Sequence, residues 1–222
     1  MSSTNNDAGL VSERVRERMV ARVREQGVRD QRVLDAMARV PRHVFVDAAL
    51  SSRAYEDSAL PIGHGQTISQ PYIVARTIEL AVAATQDPRQ MKVLEIGTGC
   101  GYAAAVLAEV VGQVYSIERL RALHDLARSN LRVLRLPNVH LIFGDGFAGL
   151  PSQAPFDAII AAAAGVEIPS VWLEQLAPSA AIVAPVGLET QHLMVVRRDA
   201  AGRVVRKIEE EVRFVPLRSG VQ

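Results

Sequence analysis

Apolar positions along the chain change period several times, and the changes mark out its elements. Val11, Val15, Met19 and Val23 recur every four residues, which places them on one helical face; a helix over residues 11–26 is predicted, stopped by Gly27. Asp30 is placed to cap a second helix carrying Val33, Leu34, Met37 and Val40, with Pro41 at its end. A helix over 73–84 follows. Strands then alternate with helices: strand 93–96, helix 103–111, strand 113–117, helix 120–134, strand 139–143, strand 156–164, helix 169–176 and strand 180–186. Beyond this, 191–198 and 203–215 are rich in β-branched residues and flank Asp199-Ala200-Ala201-Gly202, a hairpin signal. The pattern predicts an α/β fold: a doubly wound, mostly parallel Rossmann-like sheet with an N-terminal helical and loop extension and a C-terminal antiparallel β pair. Residues 1–10 read as a disordered tail and 11–222 as one domain, divided into 11–84, a core at 85–187 and the final strands at 188–222.

The strand at 93–96 runs into Gly97, Gly99 and Gly101, and a helical segment follows. Strand, glycine turn and helix open a nucleotide-binding unit, because glycines let a ligand approach the backbone and the helix start offers free N–H groups. The glycines fall as G-x-G-x-G, Glu95 stands two positions before the first, and Glu118 closes the next strand 21 residues after Gly97. A carboxylate there suits the vicinal hydroxyls of a ribose. In such folds ligands lie beyond the carboxyl ends of the strands. Residues 95–101, Glu118, Asp145-Gly146 and 161–165 should therefore converge on one cleft. A plain turn role is the other reading for Asp145.

Composition narrows the partners. The formal charge is +1, so bulk electrostatics imply neither a nucleic acid nor an anionic membrane. Five arginines crowd the first helix, but Glu13, Glu17 and Glu25 interleave with them, as on a solvated, salt-bridged face. A lone cysteine, Cys100, excludes an internal disulfide and a cysteine-cluster metal site. The polar opening residues lack a signal-peptide pattern, and the longest apolar run, 158–166, is far below the ~20 residues of a spanning helix. A cytoplasmic, monomeric protein is expected.

Residues 60–72, dense in Gly, Pro and small hydroxyls, show neither helical nor strand periodicity and read as a rigid functional loop. This run, with Arg42-His43-Val44-Phe45-Val46, 93–102, 114–119, Gly144-Asp145-Gly146, 154–160, Pro185-Val186-Gly187 and 212–217, resembles the protein-L-isoaspartate O-methyltransferases, class I methyltransferases that use S-adenosylmethionine. The blocks occur in the family's order from about Val11 to Leu217. The resemblance implies methylation of the α-carboxylate of L-isoaspartyl residues in damaged proteins, leading to repair through a methyl ester and a succinimide. It implies an active-site role for Ser69, cofactor contacts from Glu95, Gly97, Thr98, Gly99, Glu118, Asp145 and Gly146, and no metal. Thr67 and Ile68 of the same loop, with Val44 and Val215 from two segments read as extended, are the candidate acceptor-binding residues; core packing is the other reading for Phe45 and Phe214. The chain departs from the family pattern at Cys100 (usually serine), Leu150 (commonly tryptophan in bacterial members), Ala162 (often threonine) and Ser179-Ala180 (often Gly-Gly).

The chemistry asks for little more. An acceptor carboxyl with a pKa of about 3–4 is already ionised at neutral pH, so no general base is required. His43, His64, His124, His140 and His192 have no ligand-like spacing and read as ordinary histidines, His64 being nearest the active segment. Ser69 is expected to hold one acceptor oxygen by its O–H, with capping of the following helix as its other reading. Three other activities fit parts of the pattern: methylation of ordinary aspartate in a modified peptide, a nicotinamide-dependent oxidoreductase, which would favour G-x-G-x-x-G, and a non-enzymatic cofactor- or peptide-binding module.

Overall fold

A computed structural model describes residues 4–198 and 202–222, with side chains from Glu13 onward. Two helices lead, α1 (Thr4–Glu25) and α2 (Gln31–Arg39). The first starts earlier than the apolar spacing predicts, through a Thr-Asn-Asn-Asp run of residue types suited to a helix start. Residues 1–3 of the expected tail lie outside the described residues. Gly27, at φ 119°, turns the chain out of α1, and Asp30 caps α2 by accepting from the Arg32 N–H. The predicted apolar stripe of α2, Val33, Leu34 and Met37, is buried.

Residues 60–72 are not an irregular loop. They form a small antiparallel hairpin, β1 (Leu60–Gly63) and β2 (Gln66–Ile68), followed by α3 (Pro71–Val82). The two strands are too short to show a period, and Gly63, His64 and Gly65 all take positive φ in the turn between them. Residues 44–46 differ as well. A 3-10 turn spans Arg42–Phe45, and Phe45 is buried edge-on against Tyr102, so no extended strand is available there.

The main sheet has β3 (Lys92–Ile96), β4 (Gln113–Glu118), β5 (Val139–Phe143), β6 (Phe156–Ala161), β7 (Leu176–Gly187), β8 (Gln191–Arg198) and β9 (Val204–Val212). Helices α4 (Tyr102–Ala108), α5 (Arg121–Leu134) and α6 (Ser170–Glu174) connect them. In space the order is β5-β4-β3-β6-β7-β8-β9, parallel from β5 to β7 and antiparallel across β7–β8 and β8–β9. This is the predicted doubly wound sheet with an antiparallel end. The turn at 199–201 lies outside the described residues. Strand β7 begins four residues before the predicted start, with a register irregularity opposite Phe156–Ala158, and β9 stops at Val212, which frees the following residues to cross the sheet's end.

Strand alternation sorts the core into two layers. Val93, Val114, Ala158, Ile160 and Val183 pack on the side of α1–α4, whereas Leu94, Ile96, Ile117, Ile159 and Ile182 pack with Trp172 of α6. Each such Val, Leu or Ile side chain contributes about 1.5–3 kcal/mol on burial. Between β3 and β6 the strand order reverses, because the chain winds outward through β4 and β5 and then returns. The glycine turn sits at that switch point, where ligands of such sheets bind.

Candidate active site

At the end of β3 the chain turns sharply, with Gly97 at φ 91° and Gly101 at φ 92°. A Cβ on Gly101 would meet the Leu131 side chain at 3.0 Å, so this turn is restricted by packing as well as by conformation. The Gly97 and Thr98 N–H groups donate to the Ile117 carbonyl, which fastens the turn to β4. Glu118, at the end of that strand, accepts from the Gly99 N–H through Oε2 and from the Leu120 N–H through Oε1, both at 2.9 Å. Each carboxylate oxygen keeps a second lone pair for a ligand hydroxyl.

The β1–β2 hairpin closes the opposite wall. It brings Thr67, Ile68 and Ser69 to the same cleft as Gly97, Thr98, Gly99, Glu118, Gly146 and Val215. Ser69 is half-buried, and among the described residues its hydroxyl has no hydrogen-bond partner. Capping of α3 is not its role here: the N-cap is Gln70, without a side-chain cap bond, and Pro71 occupies the first helical position. Ser69, Thr67, Ala162 and Val215 also line an adjoining groove with Gln70 and Tyr72. The serine therefore stands where two spaces meet.

Gly146 lines the cleft at the end of β5, where a Cβ would come within 2.5 Å of Ile96 Cγ2. Its loop is held from behind. Trp172 Nε1 donates to the Gly146 and Phe147 carbonyls, while Gln175 donates to the Ala148 carbonyl and accepts from the Leu150 N–H. From the last segment, Pro216, Leu217 and Arg218 join Val215 on the cleft wall. Ala164 N–H donates to the Val215 carbonyl and the Ala164 carbonyl accepts from Leu217 N–H, which carries this segment across the sheet's end.

Three predicted residues are not on the cleft wall. Val44 sits in the 3-10 turn away from it. Asp145 takes the turn role: Oδ1 accepts from the Phe147 N–H and Oδ2 from the Gly220 N–H. Glu95 is fully buried, and alternation along β3 turns it toward α3, where Ser116, its register partner on β4, donates to Oε2. Burial pushes its pKa up to about 8, against the lowering effect of the Ser116 hydrogen bond. Sequence reasoning missed Pro216–Arg218, Leu120 and Leu123 as cleft residues, although the two leucines lie within five residues of Glu118 and Pro216 and Leu217 belong to the 212–217 block. Cys100, which departs from the family's usual serine, is a cleft residue but nearly buried, and burial raises its thiol pKa to about 11. Among the described residues, no histidine is on the cleft wall.

The family model for protein-L-isoaspartate(D-aspartate) O-methyltransferase matches residues 13–222. The chain belongs to that family. Among similar proteins, a protein-L-isoaspartate O-methyltransferase of Bordetella parapertussis is 56% identical over 219 residues, covering 98% of this chain and 83% of the relative. One from Burkholderia cenocepacia is 60% identical over 215 residues, covering 96% of this chain and 68% of the relative. A solved protein-L-isoaspartate O-methyltransferase superposes with a TM-score of 0.80 at 30% identity; the match covers 90% of this chain and 65% of that one. A Plasmodium falciparum structure of the same description, in complex with S-adenosyl-L-homocysteine, gives a TM-score of 0.79 at 21% identity, covering 91% and 98% of the two chains, and so shows the shared fold. The shared fold thus extends over about nine-tenths of this chain.

Proposed function

We infer that this O-methyltransferase esterifies the α-carboxylate of L-isoaspartyl residues in damaged proteins and peptides, and that its methyl donor is S-adenosylmethionine. The observation that carries the reading is the position of Ser69, at the junction of the glycine-lined cleft and the open groove. The cleft residues fit the cofactor: Glu118 offers spare lone pairs for ribose hydroxyls, beside the backbone of Gly97 and Gly99. When bound, the cofactor supplies a sulfonium methyl group open to in-line displacement by a carboxylate.

The chain's own residues have an alignment task. Ser69 O–H holds one oxygen of the acceptor carboxylate, leaving the other free to face the methyl carbon. Thr67, Ile68 and Val215 flank that position, and the groove beyond admits the rest of the peptide. No proton moves in the displacement, in keeping with a cleft wall that carries no histidine. Orientation of the reactants is worth roughly 7–11 kcal/mol at best. The same reading has the chain working as a cytoplasmic monomer without a nucleic-acid or membrane partner; the formal charge of +1 supports the absence of those two partners.

The test is incubation with labelled S-adenosylmethionine and two peptides that differ only in isoaspartyl or aspartyl linkage. Base-labile methyl ester on the isoaspartyl peptide alone is expected. Ester on the aspartyl peptide alone would mean a dedicated aspartyl methyltransferase, and no ester on either would end the reading.

A further inference from the structure

Behind Ser69 lies a narrow recess of about 30 Å³, room for a water molecule. Its walls are apolar, from Ile73, Val74, Ile78 and Phe214 among others, apart from three polar side chains: Ser69, Thr77 and Glu95. Glu95 is 1% exposed and its Oε1 has no hydrogen-bond partner. Its other oxygen ends a buried chain. Ser116 spends its single proton on Glu95 Oε2, so Thr98 donates to Ser116 Oγ, at 2.6 Å. With Oε2 already accepting, the proton of a neutral Glu95 belongs on Oε1. An apolar recess favours that neutral form, since a buried charge without a partner is costly.

We propose that Glu95 is a positioning residue for Ser69: from Oε1 it donates, through one water held in the recess with Thr77, to Ser69 Oγ, so that the serine's own proton is directed at the acceptor carboxylate. A serine hydroxyl is a free rotor with one proton and two lone pairs. If a lone pair is occupied from behind, the O–H is left to point forward into the cleft. The glutamate of the glycine motif thereby serves the acceptor side of the reaction, not the cofactor. This rests on the methyltransferase reading of the cleft.

Two substitutions separate the roles. Glu95→Gln keeps the neutral pattern, with an amide N–H in place of Oε1–H and a carbonyl for Ser116; Glu95→Met keeps the length and removes both. Glu95→Met is expected to lower kcat for an isoaspartyl peptide about 10-fold, as for one lost oriented hydrogen bond, with S-adenosylhomocysteine affinity unchanged. Glu95→Gln is expected to bring kcat back to within about 3-fold of wild type by restoring that bond. Loss of S-adenosylhomocysteine affinity in both variants, measured calorimetrically, would overturn the proposal and return Glu95 to the cofactor. Wild-type kcat in Glu95→Met would overturn it as well. Should Glu95→Met not fold, or should the wild type fail to methylate the peptide, a high-resolution crystal structure decides: an ordered water bridging Glu95, Thr77 and Ser69 supports the arrangement, and a dry recess refutes it.

Discussion

Ser69 is the residue on which methylation should depend most directly. Its hydroxyl is unengaged among the described residues and reaches the meeting point of cleft and groove. Ser69→Ala is expected to slow methylation of an isoaspartyl peptide about 10²-fold, the size of losing one oriented donor, while leaving S-adenosylhomocysteine binding intact; near-wild-type turnover would remove the serine from the mechanism. Ser179 illustrates a different kind of dependence. It stands where the family often has glycine, is exposed, and takes φ 66° at the irregular start of β7. Relief of that conformation is worth about 1–2 kcal/mol, offset in part by glycine's ~0.5–1 kcal/mol backbone entropy. Ser179→Gly should therefore raise the urea midpoint by an amount equal to about 0.5–1 kcal/mol of stability, and an unchanged or lower midpoint would contradict the strain. At this scale the sequence was readable wherever spacing alone decides position, as with Glu118 and the glycines. The position of Glu95 off the cleft wall was not legible, because the side of β3 on which α3 packs is a tertiary fact that no spacing encodes.

Among the elements, α6 is the least conspicuous and has a large share in shaping the cleft. Only five residues long, it supplies Trp172, whose indole N–H meets the Gly146 and Phe147 carbonyls, and the residue after it, Gln175, clasps the other end of the same loop. Trp172→Phe keeps much of the packing but strands two carbonyls. The expected result is S-adenosylhomocysteine affinity lower by about 10-fold, from a loosened Gly146 loop, with calorimetry as the measure; undiminished affinity would show that the loop holds without the clamp. The longer strands and helices were legible because each carries a clear run or period. Hairpin strands of four and three residues carry none, and the Arg42–Phe45 turn has the apolar content of a strand while its buried Arg42 and Phe45 are held by tertiary contacts. Arg42 donates to the Ala54 carbonyl and lies over the Tyr102 ring, partners far away in the sequence.

For the whole molecule, the buried glutamate links folding to pH. Unfolded, its pKa is near 4.5; folded, burial raises it to about 8. Below 4.5 both states hold the proton and nothing is lost. From there to about 8 the unfolded chain has released a proton that the native state keeps, so stability falls as pH rises, by at most about 1.4 kcal/mol per unit. Glu95→Gln removes this dependence. The stability of Glu95→Gln relative to wild type should accordingly increase between pH 5 and pH 8 in chemical denaturation, and parallel curves would show that the carboxyl is not titrating in that interval.

The final segment has a consequence of another sort. Residues 215–218 complete a wall that begins at residues 67–69, and Gly220 and Gln222 fasten to Asp145, Arg119 and Arg121. Everything from residue 67 to residue 218 must be in place before the two walls face each other, so the ligand cleft depends on segments distant in the sequence. Affinity for S-adenosylhomocysteine is then a gauge of structural integrity: a chain nicked or frayed near either wall would lose its ligand while most of its sheet remained in place.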